Sequence, residues 1–95
     1  MITRIVKVKL KPESRSEFSN YIPHFVKEVR NFKNNHHADC FADLEENSEY
    51  HIYTIWNTEG ALNKFLKSEL NLEFKQKLNT WTVRPFSAWT VENIK

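Results

Sequence analysis

The order in which two hydrophobic spacings alternate along the chain most constrains its fold. Residue types and flanking turn signals predict three of the strands, and in the other, residues 2–10, apolar residues recur at every second position, which is the spacing of a β-strand. In two other regions they recur every three or four residues, which is the spacing of amphipathic helices. The predicted strands cover residues 2–10, 36–45, 50–56 and 83–94, and the predicted helices cover residues 13–33 and 57–80.

The resulting order, β-α-β-β-α-β, predicts an α+β fold of the ferredoxin-like type. Both helical regions then lie on one face of a four-stranded antiparallel sheet, and the other face is left bare. The strands carry apolar residues on both faces, as in Ile5 beside Val6 and Tyr53 beside Ile52. Because a bare apolar sheet face is expected to be covered by a partner, we expect a homodimer with two such sheets face to face.

Several local signals predict where the helices begin, bend and end. Ser14 and Glu17 have the spacing of a capping box at the start of the first helix. Pro23 predicts a kink or a lost hydrogen bond within it, and Asn34 can take the left-handed conformation that ends a helix. The second helical region can be capped by Asn57 or Thr58 and is expected to divide near Ser68.

Length and glycine content exclude several classes of protein. A chain of 95 residues is expected to form one domain, residues 1–95, with one core. Gly60 is the only glycine. Dinucleotide-binding fingerprints, P-loops and G-x-S-x-G nucleophile elbows all need more than one glycine, so none of these can be present.

Charge and cysteine content indicate a cytoplasmic protein that binds neither nucleic acid nor membrane. The net charge is +2 and positive and negative residues alternate along the chain, without a basic block. A single cysteine excludes an intramolecular disulfide and suits a reducing compartment. The N-terminal segment is interrupted by Lys7 and Lys9, unlike a signal peptide.

The stretch FKNNHHADCF concentrates potential metal ligands, since it contains His36, His37, Asp39 and Cys40. On a strand, however, successive side chains point to opposite faces. His36 and Cys40 would be about 13 Å apart along the strand, and zinc ligands lie about 2 Å from the metal. We therefore predict no metal site here and interpret Cys40 as a small packing residue.

Five segments give the chain a family resemblance. They are MITRIV, KPESRSEF, VRNFKNNHH, IWNTEGALNKFLKSEL and PFSAWTV, in this order over nearly the whole length. With them the chain resembles the antibiotic biosynthesis monooxygenase family, whose members are dimeric α+β barrels. The resemblance implies a small enzyme that oxygenates electron-rich aromatic substrates, such as quinols or polyketide phenols, with no flavin, heme or metal.

Departures from the family pattern keep other functions open. Many members have a histidine where this chain has Phe65, so an obvious base is missing. This favours the alternative of a non-catalytic small-molecule-binding or stress-response dimer; a structural dimer without a pocket is the third possibility. The heme-degrading branch needs Asn, Trp and His where this chain has Val6, Phe65 and Lys75, so heme degradation is not expected.

The candidate site residues follow from this resemblance and from their positions on the predicted elements. His36 and His37 are the candidate catalytic residues, as neutral imidazoles that accept a phenolic proton, or else ordinary strand histidines. Arg4 lies on an apolar strand face, where it needs an acidic partner or a ligand. Trp56 and Trp89 are structural anchors or stack on an aromatic substrate. The predicted substrate pocket consists of Arg4, Trp56, Phe65 and Trp89.

Overall fold

A computed structural model of the chain describes residues 1–94. These residues form four strands and three helices in the order βαββααβ, with a 3₁₀ turn before the first helix. The elements are β1 (Ile2–Lys9), the 3₁₀ turn (Pro12–Ser14), α1 (Arg15–Arg30), β2 (Asn35–Ala42), β3 (Glu49–Trp56), α2 (Glu59–Leu66), α3 (Glu69–Trp81) and β4 (Ser87–Glu92). The predicted ferredoxin-like fold is confirmed, and its second helical region is two helices.

The four strands form one antiparallel sheet in the order β2-β3-β1-β4. The inward side chains alternate along each strand and pack against the helices, so the core lies between the sheet and the helix layer. The core consists of apolar residues from the three helices and from β1, β2 and β3, together with Leu10. Its largest fully buried members are Trp56, Phe18, Phe25, Leu10, Ile52, Leu62, Leu78, Val8 and Val29.

Aromatic rings connect the helices to one another and to the sheet. Phe25 of α1 stacks on Phe74 of α3 with ring centroids 4.0 Å apart. Phe65 of α2 stacks on Trp56 of β3 with centroids 5.1 Å apart. Since such pairs add to the burial of apolar area, much of the high aromatic content serves the core.

The helix ends agree with most of the local signals. The Thr58 side chain accepts from the Ala61 amide at the start of α2, and Ser68 accepts from the Asn71 amide at the start of α3. Each oxygen thereby satisfies an amide that has no partner within its helix. The predicted division near Ser68 is therefore confirmed.

One prediction about the first helix needs correction. Ser14 makes no side-chain capping bond, because the 3₁₀ turn runs directly into α1 and Ser14 already has helical angles, φ −95° and ψ −6°. A capping serine needs an extended backbone. The helix continues from Arg15 to Arg30 through Pro23, which has no backbone N–H to donate, so one helical hydrogen bond is lost there as predicted. Asn34 has a φ of 66°, the left-handed conformation expected of it.

The sheet face turned away from the helices is rich in large apolar side chains. We call it the open face; it carries Ile5, Phe41, Tyr53, Ile55, Trp89 and Val91. Ile5 pairs with Tyr53 on one side and with Trp89 on the other, so these three form a strip across the sheet. Trp89 remains 43% exposed and Phe41 48% exposed.

Candidate functional site

A small cavity lies between the sheet and the helices, beneath the corner where α2 meets α3. We call it the inner cavity; its walls are the rings of Phe25, Phe65 and Phe74, the aliphatic chains of Val6, Ile52 and Leu66, and the polar side chains of Arg4, Thr54 and Asn71. Its volume is about 20 Å³. This is room for about one water molecule, whereas a cavity that holds benzene measures about 150 Å³.

Arg4 brings a permanent positive charge to the wall of this cavity. It lies on β1 between Thr54 of β3 and Thr90 of β4, all on the helix side of the sheet. Its Nη1 donates to Thr90 Oγ1 at 3.1 Å. Its Nε is buried and has no hydrogen-bond partner, and no carboxylate of residues 1–94 forms an ion pair with it. The acidic partner considered for Arg4 is thus absent among these residues.

Thr54 and Asn71 are held in place by neighbouring groups. The indole Nε1 of Trp56 donates to Thr54 Oγ1 at 2.9 Å, so the Thr54 hydroxyl hydrogen remains available to a further acceptor. Asn71 Nδ2 donates to the Leu66 carbonyl at 3.1 Å, across the corner between α2 and α3. Both polar side chains are buried, and each therefore presents a fixed polar group to the cavity.

The structure separates the six residues predicted from sequence. Arg4 and Phe65 line the inner cavity. Trp56 is fully buried behind Phe65 and reaches the cavity through its bond to Thr54. Trp89 lies on the open face, on the other side of the sheet.

The two predicted histidines also lie outside the cavity. His37 pairs with Ile55 on the open face, and its Nε2 is 3.7 Å from Asp39 Oδ2. His36 is exposed at a β-bulge, where the pairing of β2 with β3 shifts by one residue. Neither imidazole can therefore reach a ligand in the inner cavity without a rearrangement of β2.

Sequence reasoning missed several residues of the cavity wall. Thr54 had a usable signal, because it interrupts the apolar inward side of YHIYTIW and lies directly opposite Arg4. Phe25 and Phe74 were recognisable only as core positions. Asn71 had no signal, since a polar residue in the first turn of a helix usually faces solvent.

Burial makes two further titratable groups unsuitable as bases or nucleophiles at neutral pH. Burial, and the nearby Asp39 carboxylate, raise the pKa of the Cys40 thiol to about 12. Burial, and the Glu73 carboxylate, raise the pKa of Tyr21 to about 12. Reactive cysteines instead have lowered pKa values, so Cys40 is a packing residue.

His51 and Asp43 form a hydrogen-bonded pair beside the turn that connects β2 to β3. His51 Nε2 lies 2.9 Å from Asp43 Oδ2. The same carboxylate accepts from the amides of Glu45 and Glu46 in the turn. The hydrogen bond from His51, followed by these two amides, holds the pKa of Asp43 well below its usual range.

Replacing Asp43 with asparagine is expected to lower the stability of the protein at neutral pH. A carboxylate whose pKa is lower in the folded chain stabilises the fold above its unfolded pKa, about 3.9. That contribution is lost as the pH falls towards the folded pKa. The wild type should therefore lose more stability than Asp43→Asn between about pH 5 and pH 2, as measured by urea unfolding. As a control, Glu45→Gln at the exposed neighbouring position should lose as much stability on acidification as the wild type. If Asp43→Asn also lost as much stability as the wild type over this pH range, the expectation would be contradicted.

Among residues 1–94, no group of three or more His, Cys, Asp or Glu side chains is placed to bind one metal ion. No helix in this part of the chain has the length and apolar character needed to span a membrane.

The sequence model of the antibiotic biosynthesis monooxygenases matches residues 1–77. The chain belongs to this family. A comparison with curated proteins finds no significant match. The family assignment therefore stands on the family-wide sequence pattern, together with the fold.

Solved structures share the fold of this family member at low sequence identity. Rv0793 from Mycobacterium tuberculosis aligns with a TM-score of 0.90 and 14% identity, over 99% of this chain and 95% of that chain. A crystal structure of an antibiotic biosynthesis monooxygenase aligns with a TM-score of 0.90 and 16% identity over all of both chains. A conserved protein from Methanosarcina mazei Go1 aligns with a TM-score of 0.90 and 20% identity, over 99% and 94%. At these identities the likeness shows the fold alone.

Proposed function

We propose that this protein is a cofactor-independent monooxygenase that acts on a small electron-rich aromatic, such as a quinol or a polyketide-like phenol. Membership of the antibiotic biosynthesis monooxygenase family supports the reaction class. The observation that carries the proposal is the inner cavity, where three phenylalanine rings meet Arg4, Thr54 and Asn71. Such a wall offers stacking surface for a ring and a few polar groups that orient it.

The substrate supplies the electrons in this reaction. A quinol and one O₂ give a hydroxyquinone and one water, so one oxygen atom enters the ring and the other takes up two electrons and two protons. The protein contributes position and desolvation, since an aromatic-lined cavity excludes water from the reacting carbon. His36 and His37 have no role in this proposal, because both lie outside the cavity.

The substrate needs more room than the inner cavity has. A volume of about 20 Å³ must widen before a ring can bind. Leu66 is the half-buried wall residue at the end of α2, and its carbonyl accepts the Asn71 amide. We therefore propose that the α2–α3 corner shifts at Leu66 when a ring binds.

Oxygen consumption with a panel of quinols tests the proposed activity. We expect uptake above the rate without protein, and one labelled oxygen atom in the product when isotopically labelled O₂ is supplied. Simple autoxidation would give an unlabelled quinone and peroxide instead. No protein-dependent uptake across the panel, in protein shown to be folded by circular dichroism, would contradict the proposal.

A non-catalytic binding protein of the same fold is the second candidate. It is favoured by the absence of His, Asp, Glu and Lys side chains from the described wall of the inner cavity. Such a protein would be stabilised against heat by its ligand. Stabilisation by an aromatic ligand without any oxygen consumption would favour this second candidate.

We also propose that two copies of the chain pair through the open face. The support is the contiguous apolar strip of Tyr53, Ile5 and Trp89 across three neighbouring strands. Apolar patches of this kind on a sheet usually mark interaction sites.

A further inference from the structure

We infer that the inner cavity is an oxyanion site, which selects aromatic ligands by an ionised oxygen held between the Nε–H of Arg4 and the hydroxyl of Thr54. The inference rests on the proposed function only for the use of this cavity as the substrate site. It adds the ionised state in which the phenol or enol is bound, and the two side chains that recognise it.

The first support is the unsatisfied donor of Arg4. Its Nε is buried and lacks a partner, while Nη1 is already bound to Thr90. Leaving a buried donor unpaired is costly, and more so on a charged group. With no carboxylate of residues 1–94 paired to Arg4, an anionic ligand is the group that would satisfy both the donor and the charge.

The second support is the position of Thr54 beside this donor. Arg4 and Thr54 are directly opposite each other on β1 and β3 and point to the same face. Side chains so paired have Cβ atoms about 4.5–5.5 Å apart, so both can reach one oxygen atom. Because Thr54 Oγ1 already accepts from Trp56, its own hydrogen is free to be donated. Trp56 thus makes Thr54 a donor towards the cavity.

The rest of the wall determines the kind of anion. Phe25, Phe65 and Phe74 provide ring surface and no further charge. Inorganic anions would leave this apolar surface without contacts, and cationic aromatics would be repelled by Arg4. An ionised phenol or enol is chemically complementary to both parts of the wall once the cavity has widened. Its negative oxygen also enriches the ring in the electrons that O₂ must accept.

Binding of para-nitrophenol tests this inference without any oxygen chemistry, because its ionised form is yellow and it ionises near neutral pH. A nearby arginine lowers the pKa of an acidic group by about one to three pH units. We therefore expect saturable binding by the wild type, with the apparent pKa of the bound ligand lowered by about one pH unit. The neutral analogue para-nitroanisole should bind at least tenfold more weakly.

Variants assign the effect to the two donors. Arg4→Met should abolish the change in ligand pKa, while Arg15→Met, on the exposed side of α1, should leave it unchanged. Thr54→Val should reduce the change and Thr54→Ser should restore it. No saturable binding by folded wild type, binding without a lowered ligand pKa, or an unaltered change in Arg4→Met would each overturn the inference. A lowered ligand pKa without quinol turnover would support the oxyanion site and contradict the proposed monooxygenase activity.

Discussion

Trp56→Ala is expected to destabilise the protein by about 3–5 kcal/mol. Trp56 is completely buried, stacks on Phe65, and donates its indole N–H to Thr54. Alanine would leave a large cavity between β3 and α2 and would remove the bond that orients Thr54. Since small domains are stable by about 5–15 kcal/mol in total, the variant should lose a large part of its stability. Urea unfolding followed by far-ultraviolet circular dichroism measures the loss.

Two further variants calibrate this result. Trp56→Phe keeps most of the ring volume and should lose less than Trp56→Ala. Leu72→Ala removes an apolar side chain that is 47% exposed on α3, and should change the stability by no more than about 0.5 kcal/mol. A loss below about 1 kcal/mol for Trp56→Ala would show that Trp56 is not a central support of the fold.

Ile5→Arg is expected to convert a dimer into a monomer at micromolar concentration. Ile5 is the middle residue of the strip between Tyr53 and Trp89 on the open face. In a symmetric pair each copy would place a charge against an apolar surface, and the cost of burying unpaired charge would exceed the gain from the contact. Light scattering should give twice the chain mass for the wild type and once the chain mass for the variant.

A helix-side charge serves as the control for the dimer. Asn20→Arg introduces the same side chain on the exposed surface of α1, and the dimer should persist. A monomeric wild type, or a dimeric Ile5→Arg, would contradict the proposed pairing through the open face.

The fold was predictable because hydrophobic periodicity and the order of the strands and helices can be recognised in the sequence without knowledge of tertiary contacts. Arg4, Val6 and Val8 were expected on one face of β1, and they are directed to the helix side as their alternation requires. Thr58 and Ser68 mark helix starts through bonds to their own backbone neighbourhood. Such local features depend on a few adjacent residues, and those residues are visible in the sequence.

The candidate site was only partly predictable, because it depends on details that alternation does not contain. The bulge in β2 removes His36 from the regular pairing with β3. No neighbouring residue type in the sequence indicates this extra residue. On β4 the small Ala88 faces the helices while Trp89 faces outward, and this register of β4 against β1 cannot be read from β4 alone. Asn71 becomes part of the cavity only through the angle between α2 and α3.

The attachment of β4 has a consequence for local stability. None of its residues, Ser87–Glu92, is buried, and it pairs with β1 alone. In a single unpaired chain, main-chain hydrogen bonds rather than side-chain burial hold β4, so it can detach at a small fraction of the free energy of global unfolding. Detachment would release Thr90 from Nη1 of Arg4 and leave the guanidinium free to turn. The sheet edge is thereby coupled to the proposed oxyanion site, because a contact that holds β4 in place also restricts the motion of the Arg4 guanidinium.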